Sequence, residues 1–169
     1  MRHIKRELKI GNTAIGGNNP VLVQSMLNVK SSDVEGNVRQ AVELEKAGCQ
    51  IVRVSVPSLE DVRLVEAIKN EISIPLVADI HFDYKVALAC ADAGIDKIRI
   101  NPGNIGDDEK VKAVVKACSA KNIPIRIGVN AGSLEKNILA KYGKPSPEAL
   151  CESAMYHIGL LEKYDFNDI

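Results

Sequence analysis

The sequence contains no tryptophan, and its aromatic content is only 4%. Stacking platforms for nucleobases are therefore scarce. Net charge is zero, with 22 basic and 22 acidic side chains, which argues against an extended nucleic-acid surface but leaves room for a local basic pocket. No apolar run approaches the roughly 20 residues of a membrane-spanning helix. The charged start Met1-Arg2-His3-Ile4-Lys5-Arg6-Glu7 has no apolar segment behind it of the kind a secretion signal needs. These absences make the cytoplasm the expected location, with neither nucleic acid nor membrane as a partner. The four cysteines, Cys49, Cys90, Cys118 and Cys151, offer no C-x-x-C or comparable ligand spacing. Each lies in or beside an apolar stretch, so the expectation is four small buried hydrophobes without disulfides. A G-x-G-x-x-G after the first strand, a P-loop and a nucleophile elbow are missing too.

What is present is an alternation of short β-rich runs with helical segments, over 169 residues of which 46% are apolar. That pattern predicts an α/β domain with a parallel sheet and crossover helices. Glu7 to Ile15 reads as a small hairpin around Gly11-Asn12. Five main strands follow, over Val21 to Met26, Ile51 to Ser55, Ile74 to Ile80, Lys97 to Asn101 and Ile123 to Asn130. Helices are expected from about Asp33 to Ala47 with Ser31-Ser32 as N-cap, to about Glu71 with a Ser58/Asp61 capping box, and over Asp83 to Ala93 and Asp107 to Lys121. Two more are expected near Ser133 to Tyr142 and Pro147 to Tyr164. The run Ala47-Gly48-Cys49-Gln50-Ile51-Val52-Arg53-Val54 is echoed by Ala93-Gly94-Ile95-Asp96-Lys97-Ile98-Arg99-Ile100, and Ile74-Pro75-Leu76 by Ile123-Pro124-Ile125. Each echo is two strand–helix units apart, which fits a TIM-type (β/α) barrel better than a Rossmann fold. A complete (β/α)₈ barrel takes about 250 residues. The expectation is thus a barrel truncated after about five units, with open first and fifth strands and Asp165 to Ile169 leading toward a sixth.

Four of these strands end in polar pairs on one face: Arg53/Ser55, Asp79/His81, Arg99/Asn101 and Arg126/Asn130, with Gly128 inside the last. If the strands are parallel neighbours, the pairs converge where ligands bind in such folds, beyond the carboxyl ends of the strands. Three arginines at one mouth point to an anion, most simply a phosphate or diphosphate. The competing reading is a structural ion-pair network in which Asp79 neutralises one arginine, but one carboxylate cannot balance three guanidinium groups. Asp79 and His81 are too small a set for a metal. His81 suits a hydrogen bond to a phosphate oxygen or a proton transfer. The loops Asn101-Pro102-Gly103-Asn104-Ile105-Gly106 and Gly128 to Ser133 bring glycines that permit close backbone approach to an anion, and Ser133 is placed to cap the next helix. Lys97 lies too early on its strand for a Schiff-base lysine at the mouth. His3 and His157 read as surface residues. No catalytic acid or base stands out.

At these residues the chain resembles a known family. Val23-Gln24-Ser25-Met26, Ala47-Gly48-Cys49 leading into Ile51-Val52-Arg53-Val54, Ala78-Asp79-Ile80-His81-Phe82-Asp83, Ile98-Arg99-Ile100-Asn101-Pro102-Gly103-Asn104 and Arg126-Ile127-Gly128-Val129-Asn130-Ala131-Gly132-Ser133-Leu134 occur in order. Together they are similar to the N-terminal barrel of hydroxymethylbutenyl diphosphate synthases. Leu27 departs from the family's usual threonine. The resemblance implies an iron–sulfur oxidoreductase of isoprenoid biosynthesis, which reduces 2-C-methyl-D-erythritol 2,4-cyclodiphosphate with ring opening and loss of water. It implies that Arg53, His81, Arg99, Asn101, Arg126 and Asn130 hold the diphosphate, with Asp79 beside them. It also implies a [4Fe–4S] cluster bound in a separate C-terminal domain by residues outside this chain, flavodoxin or ferredoxin as electron donor, and a homodimer. This barrel alone would then be inactive. The alternatives are another phosphate-handling barrel, such as a dihydropteroate synthase-like transferase, and a non-catalytic anion-binding module.

Overall fold

The computed structural model describes residues 4–169, apart from the side chains of residues 102 and 103; His3 lies outside the described residues. The hairpin forms as its turn residues require: β1 (Leu8–Ile10) and β2 (Thr13–Ile15) pair antiparallel around Gly11, whose φ of +54° suits glycine. The remaining strands are β3 (Gln24–Met26), β4 (Ile51–Ser55), β5 (Leu76–Asp79), β6 (Lys97–Ile100) and β7 (Ile125–Ile127). They form one sheet in the order β3-β4-β5-β6-β7, every pairing parallel, with β3 and β7 at its two ends. Between them run α1 (Val34–Lys46), α2 (Arg63–Lys69), α3 (Tyr84–Asp92), α4 (Pro102–Ile105) and α5 (Asp108–Ala120), and after β7 come α6 (Lys136–Tyr142) and α7 (Pro147–Glu162).

The sequence echo has a physical meaning. Gly48 and Gly94 take φ of +92° and +81°, and each closes a Schellman turn: Cys49 N–H donates to Leu44 O at 3.0 Å and Ile95 N–H to Cys90 O at 3.2 Å. The two Ile-Pro echoes also play one role, because the Pro75 and Pro124 carbonyls accept from Val52 and Ile98 at the entry to neighbouring strands. Strand alternation sorts the core into two layers. Val52, Val54, Leu76, Ala78, Ile98, Ile100 and Ile125 face the helices and form the main core with Leu64, Ile68, Cys90 and Val115. On the concave face, Ile51 and Val77 pack against Ile10 of the hairpin, which closes the floor of the lumen. Side chains at β4–β7 positions nearer the mouth are thus the polar ones.

Several local expectations change. Asp33, not Ser31 or Ser32, caps α1, through Gly36 N–H at 2.8 Å. The Ser58 hydroxyl donates to the Asp61 carboxylate at 2.6 Å instead of forming a capping box, and a 3₁₀ turn over Leu59–Val62 precedes α2. The segment after β6 is a helical turn, α4, where a loop was expected. Cys151 is exposed, unlike the other three cysteines. His157 is fully buried, not at the surface, because Glu135 reaches it. Near the end of the chain, Asp168 O accepts from Ile125 N–H at 2.9 Å, which seats this segment beside β7.

Candidate anion site at the barrel mouth

The parallel register determines what meets at the mouth. Ser55 pairs with Asp79, Asp79 with Arg99, and Arg99 with Arg126, so the four lie in one row on the concave face. Arg53 is one row deeper, level with Met26, Val77 and Lys97. His81, Asn101 and Asn130 follow just beyond the ends of their strands.

Asp79, only 2% exposed, is the hub. Its Oδ2 accepts from Arg53 Nη2, and its Oδ1 from Arg99 Nη1 at 2.9 Å. Arg99 also donates through Nη2 to the Gly128 carbonyl at 2.8 Å. Its guanidinium lies so close to Gly128 that a Cβ there would fall 1.9 Å from Arg99 Nε. Only glycine permits this approach. His81 Nε2 stands 3.8 Å from Asp79 Oδ2, with its ring partly exposed. Arg53 Nε is buried without a hydrogen-bond partner. Asp79 therefore engages two arginines where the sequence reading gave it one.

Arg126 differs from both. It is exposed and, among the described residues, has no hydrogen-bond or ion-pair partner. Three guanidinium charges against one carboxylate leave an excess of two positive charges (3 − 1) in the cluster. Arg126 also borders a cavity of about 330 Å³ on the hairpin side, lined by Ile10, Ile15, Lys97 and Ile127. Burial, helped by the Arg126 charge, pulls the Lys97 ammonium below its ordinary range.

The segment after β7 completes the rim. Asn101, 3% exposed, donates to Ser133 Oγ at 2.9 Å. The Asn130 side chain is turned onto its own 3₁₀ turn (Ala131–Ser133), accepting from Gly132 N–H at 3.0 Å. Ser133 does not cap α6. Glu135 occupies that position, without a side-chain capping bond. The structure thus brings Arg53, Asp79, Arg99 and His81 together, sets Arg126 on the same row, and ties Asn101 to the Asn130 segment through Ser133. Sequence reasoning missed the Gly128 carbonyl as a partner of Arg99. No signal in the sequence marked it, because a backbone acceptor has no side-chain signature and Gly128 lies two residues beyond Arg126, the register partner of Arg99.

Cys90 and Cys118 are buried in the apolar core, a poor setting for iron–sulfur ligands. Burial pushes the Cys90 and Cys118 thiols up to about 12, which opposes the thiolate a metal requires. Among the described residues no three His, Cys, Asp or Glu side chains are grouped to hold a metal ion. None of the described helices is long and apolar enough to cross a membrane.

Parallel strand–helix units around a hairpin-plugged lumen, with polar side chains gathered at the carboxyl ends of the strands, define an α/β domain of the TIM-barrel class. A solved Yersinia pestis dihydropteroate synthase shares this fold, with a TM-score of 0.67 over 96% of this chain and 59% of that one, at 15% identity. That likeness is one of architecture. The chain belongs to the GcpE family: the model of the GcpE TIM-barrel domain matches residues 5–169. Its relatives include a Fusobacterium nucleatum protein named 4-hydroxy-3-methylbut-2-en-1-yl diphosphate synthase (flavodoxin), 59% identical over all 169 residues. A Halalkalibacterium halodurans protein of the same name is 60% identical over 164 residues, 97% of this chain. The chain spans 48% and 45% of their respective lengths, so it corresponds to about half of each.

Proposed function

We propose that this chain is the substrate-binding barrel of a 4-hydroxy-3-methylbut-2-en-1-yl diphosphate synthase, a reductive enzyme of isoprenoid biosynthesis in the cytoplasm. The cradle at the mouth takes the diphosphate of 2-C-methyl-D-erythritol 2,4-cyclodiphosphate. Arg53, Arg99 and Arg126 supply charge, His81, Asn101 and Asn130 supply directed hydrogen bonds, and Asp79 keeps two of the guanidinium groups in place. Opening the cyclic diphosphate frees an anionic phosphate oxygen, and fixed guanidinium groups stabilise charge that develops there. Counted on fully protonated forms, two electrons and two protons enter and one water leaves.

Flavodoxin, as the relatives' names suggest, would be the electron donor, and a [4Fe–4S] cluster held by residues outside this chain would supply the electron-transfer chemistry. On the family resemblance, the cluster would sit in a further, C-terminal domain, and the working enzyme would be a homodimer. One observation carries the reading: three arginines and one carboxylate on adjoining rows of parallel strands. Titration calorimetry of the cyclic diphosphate into the intact enzyme tests it. Arg99→Ala should weaken binding tenfold or more, and unchanged affinity would refute the assignment.

A further inference from the structure

The end of the mouth's rim is fastened to a helix that has no other part in the site. Residues 128–135 touch the cluster twice, through the Gly128 carbonyl on Arg99 and through Ser133 on Asn101. Two residues after Ser133, Glu135 stands at the N-cap position of α6. A carboxylate there would ordinarily turn toward the free N–H groups of its own helix. Glu135 does not. Its Oε1 instead contacts Nε2 of His157, a side chain of α7 with no solvent exposure. Glu135 Oε2 and His157 Nδ1 are both buried without hydrogen-bond partners. Two apolar side chains of similar volume would pack as well without leaving polar atoms unsatisfied. The polar pair therefore specifies a geometry that shape alone would not.

We propose that Glu135 and His157 are positioning residues: their contact pins the segment from Gly128 to Glu135 onto α7, and so sets where the Gly128 carbonyl and Ser133 hold Arg99 and Asn101. The proposal rests on the anion-site reading for its consequence, not for its first readout. That readout is amide hydrogen exchange of the chain. Glu135→Ala should speed exchange at Gly132 and Ser133 at least tenfold, while Ile98 and Ile100 in β6 keep wild-type rates. Glu135→Gln, which can still accept from Nε2–H, should stay within threefold of wild type.

The second readout is calorimetric affinity for inorganic diphosphate. It should fall at least fivefold in Glu135→Ala and recover in Glu135→Gln, a rescue that loss of packing alone would not show. Where Glu135→Ala also loses protection in β6, Glu135→Asp replaces it, because it withdraws the carboxylate by one methylene and keeps the fold. Unchanged exchange at Gly132 and Ser133 overturns the pin. Faster exchange with unchanged diphosphate affinity overturns the positioning role alone. A wild-type chain that binds no diphosphate overturns the reading of the mouth, and the positioning role with it.

Discussion

Replacing Gly128 by alanine asks whether the cation cluster is built for a ligand or has merely collected there. The added Cβ would lie 1.9 Å from Arg99 Nε and 2.4 Å from both Cζ and Nη2, so the guanidinium must leave its present place. It donates two bonds there, one to the Asp79 carboxylate at 2.9 Å and one to the Gly128 carbonyl at 2.8 Å. A hydrogen bond to a charged group contributes about 1.5–3 kcal/mol. Losing that much of Arg99's engagement weakens anion binding by about tenfold to 150-fold. Stability should fall as well, because overpacking costs about 1–3 kcal/mol. The reduced freedom of the unfolded chain returns only about 0.4–1 kcal/mol. Gly132 supplies the control: a Cβ there meets only Asn130 Oδ1, at an ordinary 3.5 Å. Calorimetry with the cyclic diphosphate on the intact enzyme should show a large loss for Gly128→Ala and little change for Gly132→Ala. If Gly128→Ala bound within twofold of wild type, the placement of Arg99 would be irrelevant to binding and the reasoning would fail.

Arg126→Ala should separate binding from folding. The side chain is exposed and unpaired among the described residues, so stability should change by no more than about 0.5 kcal/mol. Affinity for the cyclic diphosphate should fall tenfold or more, and a loss of melting temperature without loss of affinity would reverse the assignment. Acid provides the remaining test. Glu45 is held below the ordinary glutamate range by the Ser73 hydroxyl and by the backbone N–H groups of Ser73 and Ile74. Burial alone would raise the Glu135 carboxyl, but its own backbone, the nearby Ser153 hydroxyl and His157 outweigh burial and lower it. A carboxylate depressed in the folded state contributes stability that is fully present above the unfolded value, about 4.3, and is lost as pH falls through the folded value. Thermal melts should therefore drop below about pH 4.3, and more gently in Glu45→Gln. An identical acid limb in that variant would count against the Ser73 contact.

Which parts of this were legible in the sequence follows from the range of the interactions. Strand periodicity and the Ala-Gly echo are local, so the five parallel units, the hairpin and the concave row of polar residues could be read directly. Gly48 and Gly94 announce themselves because few other residues take their positive φ. Choices between neighbouring capping acceptors were harder. Ser31, Ser32 and Asp33 are all capable caps, and only the path of the chain into α1 selects Asp33. His157 was unreadable for a different reason. A histidine on a helix looks like a surface residue until a carboxylate 22 positions earlier in sequence folds onto it. The same holds for the Gly128 carbonyl, since backbone acceptors have no sequence signature.

The buried carboxylate in the middle of a cation cluster is the feature that distinguishes a cradle from a charge patch. Without Asp79, two largely buried guanidinium groups would face each other with no counter-ion, a costly arrangement. With it, Arg53 and Arg99 are ordered before any ligand arrives. Ordering a long side chain costs about 0.5–1.5 kcal/mol, and here that cost is met during folding instead of at binding. The carboxylate cancels one positive charge of three, so the cluster keeps a net positive charge that the proposed diphosphate would meet. At about 4 Å and an effective dielectric near 20, each uncancelled pair is worth roughly 4 kcal/mol before desolvation. On the proposed reading, Arg126, exposed and unpaired among the described residues, is the arm that can follow the ligand, while the two fixed forks set where it sits.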